Sequence, residues 1–255
     1  LSALVQSGAM DDIARRGVKI LYYLQVDNPL TRICQADLIG YHLLAQSELS
    51  TLVAAKSVPR EKVGNVVSID GRVQILEYSD LNPLPDEIVL RKDEAGHPIF
   101  WAGNTAVHAI DVAFLQRMAE SDTALPFHLA HKKVPYLDEG GQLVEPEEPN
   151  AIKFERFIFD LLPAAGHAIV MEIDPAHEFR PVKNAPGEAK DTPETVRAAM
   201  VELHRSWLEA TGATVAAGVA VEIGPRFALD ADEVAGKIEP GTKGGQARFW
   251  DKGGG

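Results

Sequence analysis

The sequence has one cysteine in 255 residues, Cys34, so no internal disulfide can form; a disulfide-stapled secreted scaffold is excluded and a reducing, cytoplasmic setting is the expectation. As a lone thiol, Cys34 reads as a packing residue sooner than as a nucleophile. Long apolar runs are missing as well. Nothing approaches the roughly 20 residues that a membrane helix needs, and no secretory leader is visible. Positive charge is scarce: 25 Lys and Arg stand against 37 Asp and Glu, a formal net charge of −12. That leaves no basic footprint for nucleic acid or an anionic membrane, and an anionic ligand would need a local, placed cation. The sequence opens on Leu1 in mid-helix style, from which we expect a portion of a longer chain. What remains is an ordinary globular composition, long enough to bury the core of one large domain or of one domain with an appendage.

The stretch from Val18 to Leu30, VKILYYLQVDNPL, organises the reading. Its apolar side chains fall on both parities, which predicts a strand buried on both faces, as parallel strands are. The run ends in Asp27. A carboxylate directly after such a strand sits at the carboxyl edge of the sheet, where α/β folds bind ligands and where a hard cation could join it to phosphates. Asp27-Asn28-Pro29 also makes a good turn, and the sequence alone leaves both readings open. Upstream, Leu1 to Arg16 reads as a helix closed by Gly17. Downstream, Leu38, Ile39, Leu43 and Leu44 recur at helical spacing ahead of a short strand over 51–56. Strand, helix, strand in that order is a βαβ crossover, and it leaves Asp27 at the open edge.

Two β-rich runs then flank Asp70-Gly71, a strong hairpin signal, with Gly64 at its opening and Glu77 at its close. Glu77 shares a face with Val73 and Ile75; it is either a strand-end carboxylate or one in need of a partner such as a sugar hydroxyl, because a buried lone charge is expensive. Residues 82–98 read as a surface loop. A short strand over 99–104 is expected to run into a helix carrying Val107, Ile110, Phe114, Leu115 and Met118 inward, with Asn104 as its cap, as a ligand contact, or as both. His128 and His131 at i and i+3 could share a helix face, but no third ligand stands at metal spacing, so zinc is not expected. The acidic run from Glu145 to Glu148 reads as solvated surface. A helix is expected over 152–162, with Phe157 on its apolar side and Phe159 off it. After the strand HAIVMEI comes Lys183, in a Pro-rich loop that is either merely exposed or suited to aim a charge at phosphate. Asp191-Thr192-Pro193 then starts a long helix. The expected organisation is a main domain over 1–212, the start of a small β-rich appendage over 213–240, and a disordered Gly-rich tail over 241–255.

Taken in order, VDN, VGNVV with DG and EYSDL, AGNTAVH, PYLDEGGQLVEPEEPNAIKFERFIFD, FRPVKN and KDTPETVR resemble the UDP-N-acetylglucosamine pyrophosphorylases of the UDP-sugar pyrophosphorylase family, over about residues 18 to 225. The resemblance implies a nucleotidyltransferase-like α/β domain of Rossmann type, with a mixed central sheet and flanking helices, lacking its N-terminal part. It implies an enzyme that couples UTP to N-acetylglucosamine 1-phosphate with Mg2+ and releases pyrophosphate. Residue by residue, it places Asp27 at the metal and phosphates and Lys183 at phosphate. Gly64, Glu77 and Asn104 fall on positions that contact the N-acetylhexosamine, and Phe157 and Phe159 on aromatics lining the acetyl side. One departure stands out: no Gly-rich loop with an adjoining Arg occurs, so the UTP grip is expected upstream of Leu1 and little turnover from this portion alone. A glucose 1-phosphate uridylyltransferase and a non-catalytic sugar-nucleotide binder are the alternatives.

Overall fold

The computed structural model describes residues 1–121, 125–239, 241–244 and 248–250. In chain order, the first elements are α1 (Ser2–Gln6), α2 (Ala9–Arg15), β1 (Ile20–Tyr23), α3 (Ala36–Leu44), β2 (Leu49–Ala55), and the hairpin β3 (Asn65–Ile69) and β4 (Arg72–Leu76). Next come α4 (Tyr78–Leu81), α5 (Asp86–Val89), β5 (Ala102–Asp111) and α6 (Val112–Glu120). A ribbon follows, made of β6 (His128–Lys132), β7 (Tyr136–Leu137), β8 (Leu143–Val144) and β9 (Ala151–Glu155). A 3-10 helix (Ile158–Ala164), β10 (Ala168–Ile173), α7 (Pro175–Glu178) and α8 (Pro193–Ala210) lead to β11 (Thr214–Val215), β12 (Val221–Ile223), α9 (Ala231–Ala235), β13 (Lys243–Gly244) and β14 (Arg248–Trp250).

The central sheet is mixed, in the order β10-β2-β5-β3-β4, with β1 also paired to β5. β10 and β2 are parallel, whereas β5 runs against β2, β1 and β3. β1 and β2 therefore point the same way with β5 between them, and α3 makes the crossover that joins them. One face carries Leu49, Ile110, Phe114, Leu115 and Leu162, closed at its end by Met10 from α2. The other carries Leu52, Ala54, Val107, Ala109 and Ile173 beneath Leu38 of α3. A third cluster, with Leu208, Val221, Ile223 and Val234, joins the end of α8 to β12 and α9.

Local chemistry explains most boundaries. Asp70 (φ 51°) and Gly71 (φ 76°) both occupy the left-handed region that a two-residue hairpin turn requires. Gly17 (φ 66°) ends α2 in a Schellman arrangement, with Val18 N–H donating to the Ile13 carbonyl and Gly17 N–H to that of Ala14. Thr192 and Thr195 form a reciprocal capping box ahead of α8, with Pro193 in its first turn.

Several expectations are corrected. β1 is not buried on both faces: it is a four-residue strand antiparallel to β5, half-buried, and Val26 beyond it is 98% exposed. The N-terminal helix is two short helices, broken at Gly8 (φ 74°). Leu43 and Leu44 point to solvent, because α3 seats itself through Leu38 and His42, one turn apart. The loop over 82–98 contains α5, whose Val89 is fully buried. The helix expected from residue 105 is instead most of β5, buried at every position from Ala102 to Ile110; small and β-branched side chains on both parities mimic helical spacing there. Asp111, not Asn104, caps the helix that follows, accepting from Phe114 N–H at 3.0 Å. His128 and His131 lie on a strand and so face opposite ways, and 152–162 is β9 followed by the 3-10 helix. Cys34 is exposed rather than packed.

Within the tail, Lys243–Gly244 and Arg248–Trp250 pair in parallel with β11 and β12, so disorder does not describe them. Residues 245–247 and 251–255 lie outside the described residues. Among those described, no helix is long and apolar enough to cross a membrane.

The seating of α3 is checked by chemical denaturation: Leu38→Ala should cost about 3 kcal/mol, and Leu44→Lys less than about 0.5 kcal/mol. Comparable losses in the two would mean that α3 packs through its other face.

Candidate functional site

The carboxyl ends of the parallel strands β1, β2 and β10 open on one edge of the sheet, and β5, running the other way, brings its start to the same edge. Asp27 follows β1 there and Lys183 follows β10. The two side chains form an ion pair although 156 residues separate them in sequence. Their backbones are tied as well: Val182 N–H donates to the Asp27 carbonyl at 2.8 Å, and Lys183 and Asn184 N–H both donate to the Asp191 carbonyl.

What holds these loops together is Asn28, buried at 5% exposure. Its Nδ2 donates to the Glu178 carbonyl and to Thr31 Oγ1, both at 2.8 Å, and its Oδ1 accepts from Arg180 N–H at 2.9 Å. One amide thus does for the two loops what a pair of ladder bonds does for two strands. The Asp27–Lys183 pair itself is half open to solvent, with side-chain exposures of 27% and 53%, and contributes little to stability.

A second constellation forms around the start of β5. Asn104 N–H donates to the Gly64 carbonyl at 2.7 Å, and its Oδ1 accepts from Ala106 N–H, holding Ala106 at φ 56° in a kinked stretch where the β2–β5 register shifts. Asn104 Nδ2 makes no hydrogen bond among the described residues. Gly64 has to be glycine: a methyl group there would lie 2.9 Å from Ile75 Cγ2 and 3.1 Å from Glu77 Oε1. The carboxylate of Glu77, partly buried, accepts no hydrogen bond among the described residues. Burial raises its pKa above the ordinary carboxylate value, His128 opposes that, and the carboxylates of Asp80, Asp160 and Glu155 add to it.

Next to Glu77 stands a stack of rings. Phe157 and Phe159 are stacked at 4.8 Å with 11° between their planes, and the His128 ring lies 4.8 Å from Phe157 on its strand β6. His128 Nε2 is 2.8 Å from Asp160 Oδ2. The structure pairs Asp27 with Lys183, gathers Gly64, Glu77 and Asn104 at the start of β5, and stacks Phe157 and Phe159 beside His128, with Phe159 in the core cluster of Leu49 and Ile110. Sequence reading passed over three participants. Asn28 looked like a turn former, His128 like half of a failed metal pair, and Asp160 was given no reading. The alternation in His128–Lys132 and Ala151–Glu155 was the available signal for the ribbon that carries His128.

Residues 1–204 match the family model described as UTP–glucose-1-phosphate uridylyltransferase. The chain belongs to that family. Among curated uridylyltransferase-family proteins, it is 36% identical to the human UDP-N-acetylhexosamine pyrophosphorylase-like protein 1, over 83% of this chain and 41% of that protein. It is 34% identical to the Saccharomyces cerevisiae UDP-N-acetylglucosamine pyrophosphorylase, over 91% of this chain and 49% of that one. Among solved structures, an Entamoeba histolytica protein named for UDP-N-acetylglucosamine pyrophosphorylase superposes with a TM-score of 0.82 at 30% identity, over 97% of this chain and 60% of its own. The Trypanosoma brucei UDP-N-acetylglucosamine pyrophosphorylase, at 23% identity and TM-score 0.71, shares the fold. The nucleotide-sugar transferase-like α/β fold is thereby shown. The chain spans about half the length of these curated relatives.

Two measurements test the site's physics. Asn28→Ala strands the Glu178 carbonyl and the Arg180 N–H, and should cost about 2 kcal/mol in urea unfolding; a change below about 0.5 kcal/mol would show that water replaces the amide. For Glu77 the sign is set by its raised pKa. The folded chain holds the proton that the unfolded chain releases, so stability falls as pH rises from the ordinary carboxylate value through the raised one. Glu77→Gln should therefore raise the urea midpoint at pH 7 and leave it nearly unchanged at pH 4. An equal gain at both pH values contradicts a desolvated carboxylate.

Proposed function

We propose that the protein carrying this chain is a cytoplasmic uridylyltransferase that joins UTP to N-acetylglucosamine 1-phosphate, giving UDP-N-acetylglucosamine and pyrophosphate. In this reading the chain supplies the sugar-phosphate side of the site within a main domain over 1–212, and 213–240 is a separate appendage. A Gly-rich loop gripping UTP belongs to sequence that precedes it. The observation that carries the proposal is the meeting of Asp27 and Lys183 at the ligand edge, an exposed ion pair with little structural value of its own.

The chemistry needs no general base, because the attacking phosphate oxygen is already anionic at neutral pH. That oxygen forms a bond to the α-phosphorus of UTP as the bond to the bridging oxygen of the β-phosphate breaks, and the electron pair leaves with pyrophosphate. What the residues must supply is alignment and cancellation of charge. Lys183 provides the cation that a chain of net charge −12 otherwise withholds from a phosphate, held in place by Asn28 and by Asp191.

A magnesium ion would supply Lewis-acid stabilisation of the phosphate charge when bound. Asp27 is the residue that would hold it. The fit favours an ion carried in on the triphosphate, since Mg2+ is content with one or two carboxylates plus phosphates. Among the described residues no group of three or more His, Cys, Asp or Glu is placed to hold a metal of its own.

The second constellation supports the choice of sugar. Gly64 leaves room beside Glu77; among the described residues the Glu77 carboxylate has no hydrogen-bond partner, leaving it open to hydroxyls, and Asn104 Nδ2 has none either. The Phe157–Phe159 stack suits an acetamido methyl. The matching family model is named for glucose 1-phosphate, so glucose is the second reading.

The test is pyrophosphate release by the full-length protein from UTP and Mg2+, with N-acetylglucosamine 1-phosphate and glucose 1-phosphate side by side. Turnover should favour the N-acetylated sugar and fall about 100-fold in Lys183→Ala and in Asp27→Ala, while stability shifts by less than about 1 kcal/mol. Preference for glucose would transfer the assignment to the second reading. No release with either sugar would leave a sugar-nucleotide binder.

A further inference from the structure

Beside the residues assigned above lies a pair that the chemistry does not use. His128 Nε2 and Asp160 Oδ2 meet at 2.8 Å, with side-chain exposures of 30% and 12%. The two come from different elements: His128 from the first residue of β6, Asp160 from the 3-10 helix. Between them in sequence, Phe157 is the N-cap of the 3-10 helix and Phe159 lies in its first turn.

The contacts close on themselves. The His128 ring rests on Phe157 at 4.8 Å, Phe157 stacks on Phe159 at 4.8 Å, and the neighbour of Phe159, Asp160, returns to His128. Phe159 is anchored in the core at 7% exposure, whereas Phe157 is only partly buried. The ring that a ligand meets is therefore held on one side by a buried phenylalanine and on the other by an imidazole. That imidazole is itself fixed by one carboxylate. His128 also acts on Glu77 as the one cation-capable group opposing three carboxylates.

We infer that the His128–Asp160 clasp is a specificity-determining positioning device: it sets the place of the Phe157 ring relative to Glu77, and so the preference for an N-acetylated over an unsubstituted sugar 1-phosphate. The inference rests on the proposed function for its sugar. The geometry that it invokes stands without it. Glucose 1-phosphate places no group against Phe157, so loosening the clasp penalises only the acetamido arm.

The experiment compares wild type with His128→Gln, Asp160→Asn and His131→Gln, the last on the exposed face of the same ribbon. His128→Gln should lower kcat/KM for N-acetylglucosamine 1-phosphate about tenfold, mainly through KM, and change that for glucose 1-phosphate less than about twofold. Asp160→Asn keeps an acceptor for the imidazole and should fall between, and His131→Gln should match wild type. Equal losses for both sugars, or none, would overturn the clasp. Absence of turnover in wild type would instead count against the proposed function, and a readout free of activity then decides. With fluorophenylalanine labelling, the 19F signal of Phe157, identified by its loss in Phe157→Leu, should move in His128→Gln and stay put in His131→Gln. A signal that stays put in both overturns the inference whether or not the protein turns over.

Discussion

One strand runs the wrong way, and the site depends on it. β5 is antiparallel to β1, β2 and β3, so its amino end lies where the neighbouring parallel strands have their carboxyl ends. An α/β sheet of purely parallel strands offers only strand-to-helix loops at its ligand edge. Here Gly103 and Asn104 reach that edge from inside a strand, with their backbone fixed by ladder bonds to Ala54 and Asn65. Asn104 is consequently as rigid as the core, a better footing for a ligand contact than a loop affords. The kink at Ala106 is what turns its side chain, and the register shift opposite shows where the ladder gives way.

The loops on the other side of the edge lack such support and are tied to one another instead. Asn28 joins the loop after β1 to the loop after β10, and Asp27 and Lys183 sit at the two ends of that tie. Structure and charge are divided between adjacent residues. Asn28 is buried and neutral and carries the stability, whereas Asp27 is exposed and charged and contributes almost none. A charged residue free of structural duty can change partners when phosphate arrives. The same division recurs at Glu77, where burial penalises the ionised carboxylate and Gly64 keeps the space in front of it clear.

Much of this was legible before any coordinates. Turn chemistry located the Asp70-Gly71 hairpin, the Thr192-Pro193 start of α8 and the Gly17 cap, because each needs a φ or a missing N–H that few residues supply. The resemblance gathered Asp27, Lys183, Gly64, Glu77, Asn104, Phe157 and Phe159 as a set; the structure pairs Asp27 with Lys183, sets Gly64 against Glu77 and Asn104, and stacks Phe157 on Phe159. Periodicity failed where both faces of an element are buried: AGNTAVHAID carries apolar residues on every parity, so a helix and a central strand look alike. It failed again at Phe157, where an aromatic stripe that reads as helical is the end of a strand joined to a 3-10 turn. His128 and Asp160 were invisible for a further reason. A hydrogen bond across 32 residues, from the start of a strand to a 3-10 helix, leaves no local pattern.

The ribbon of β6 and β9 pairs with itself and with no strand of the main sheet. Its outward face, Leu129, Ile152 and Phe154, is open to solvent. Such a unit can open without disturbing the sheet, as separately exchanging segments of a folded chain do. The His128–Asp160 bond and the rings beneath it tie its first strand to the 3-10 helix. Warming should therefore loosen the ribbon ahead of the sheet.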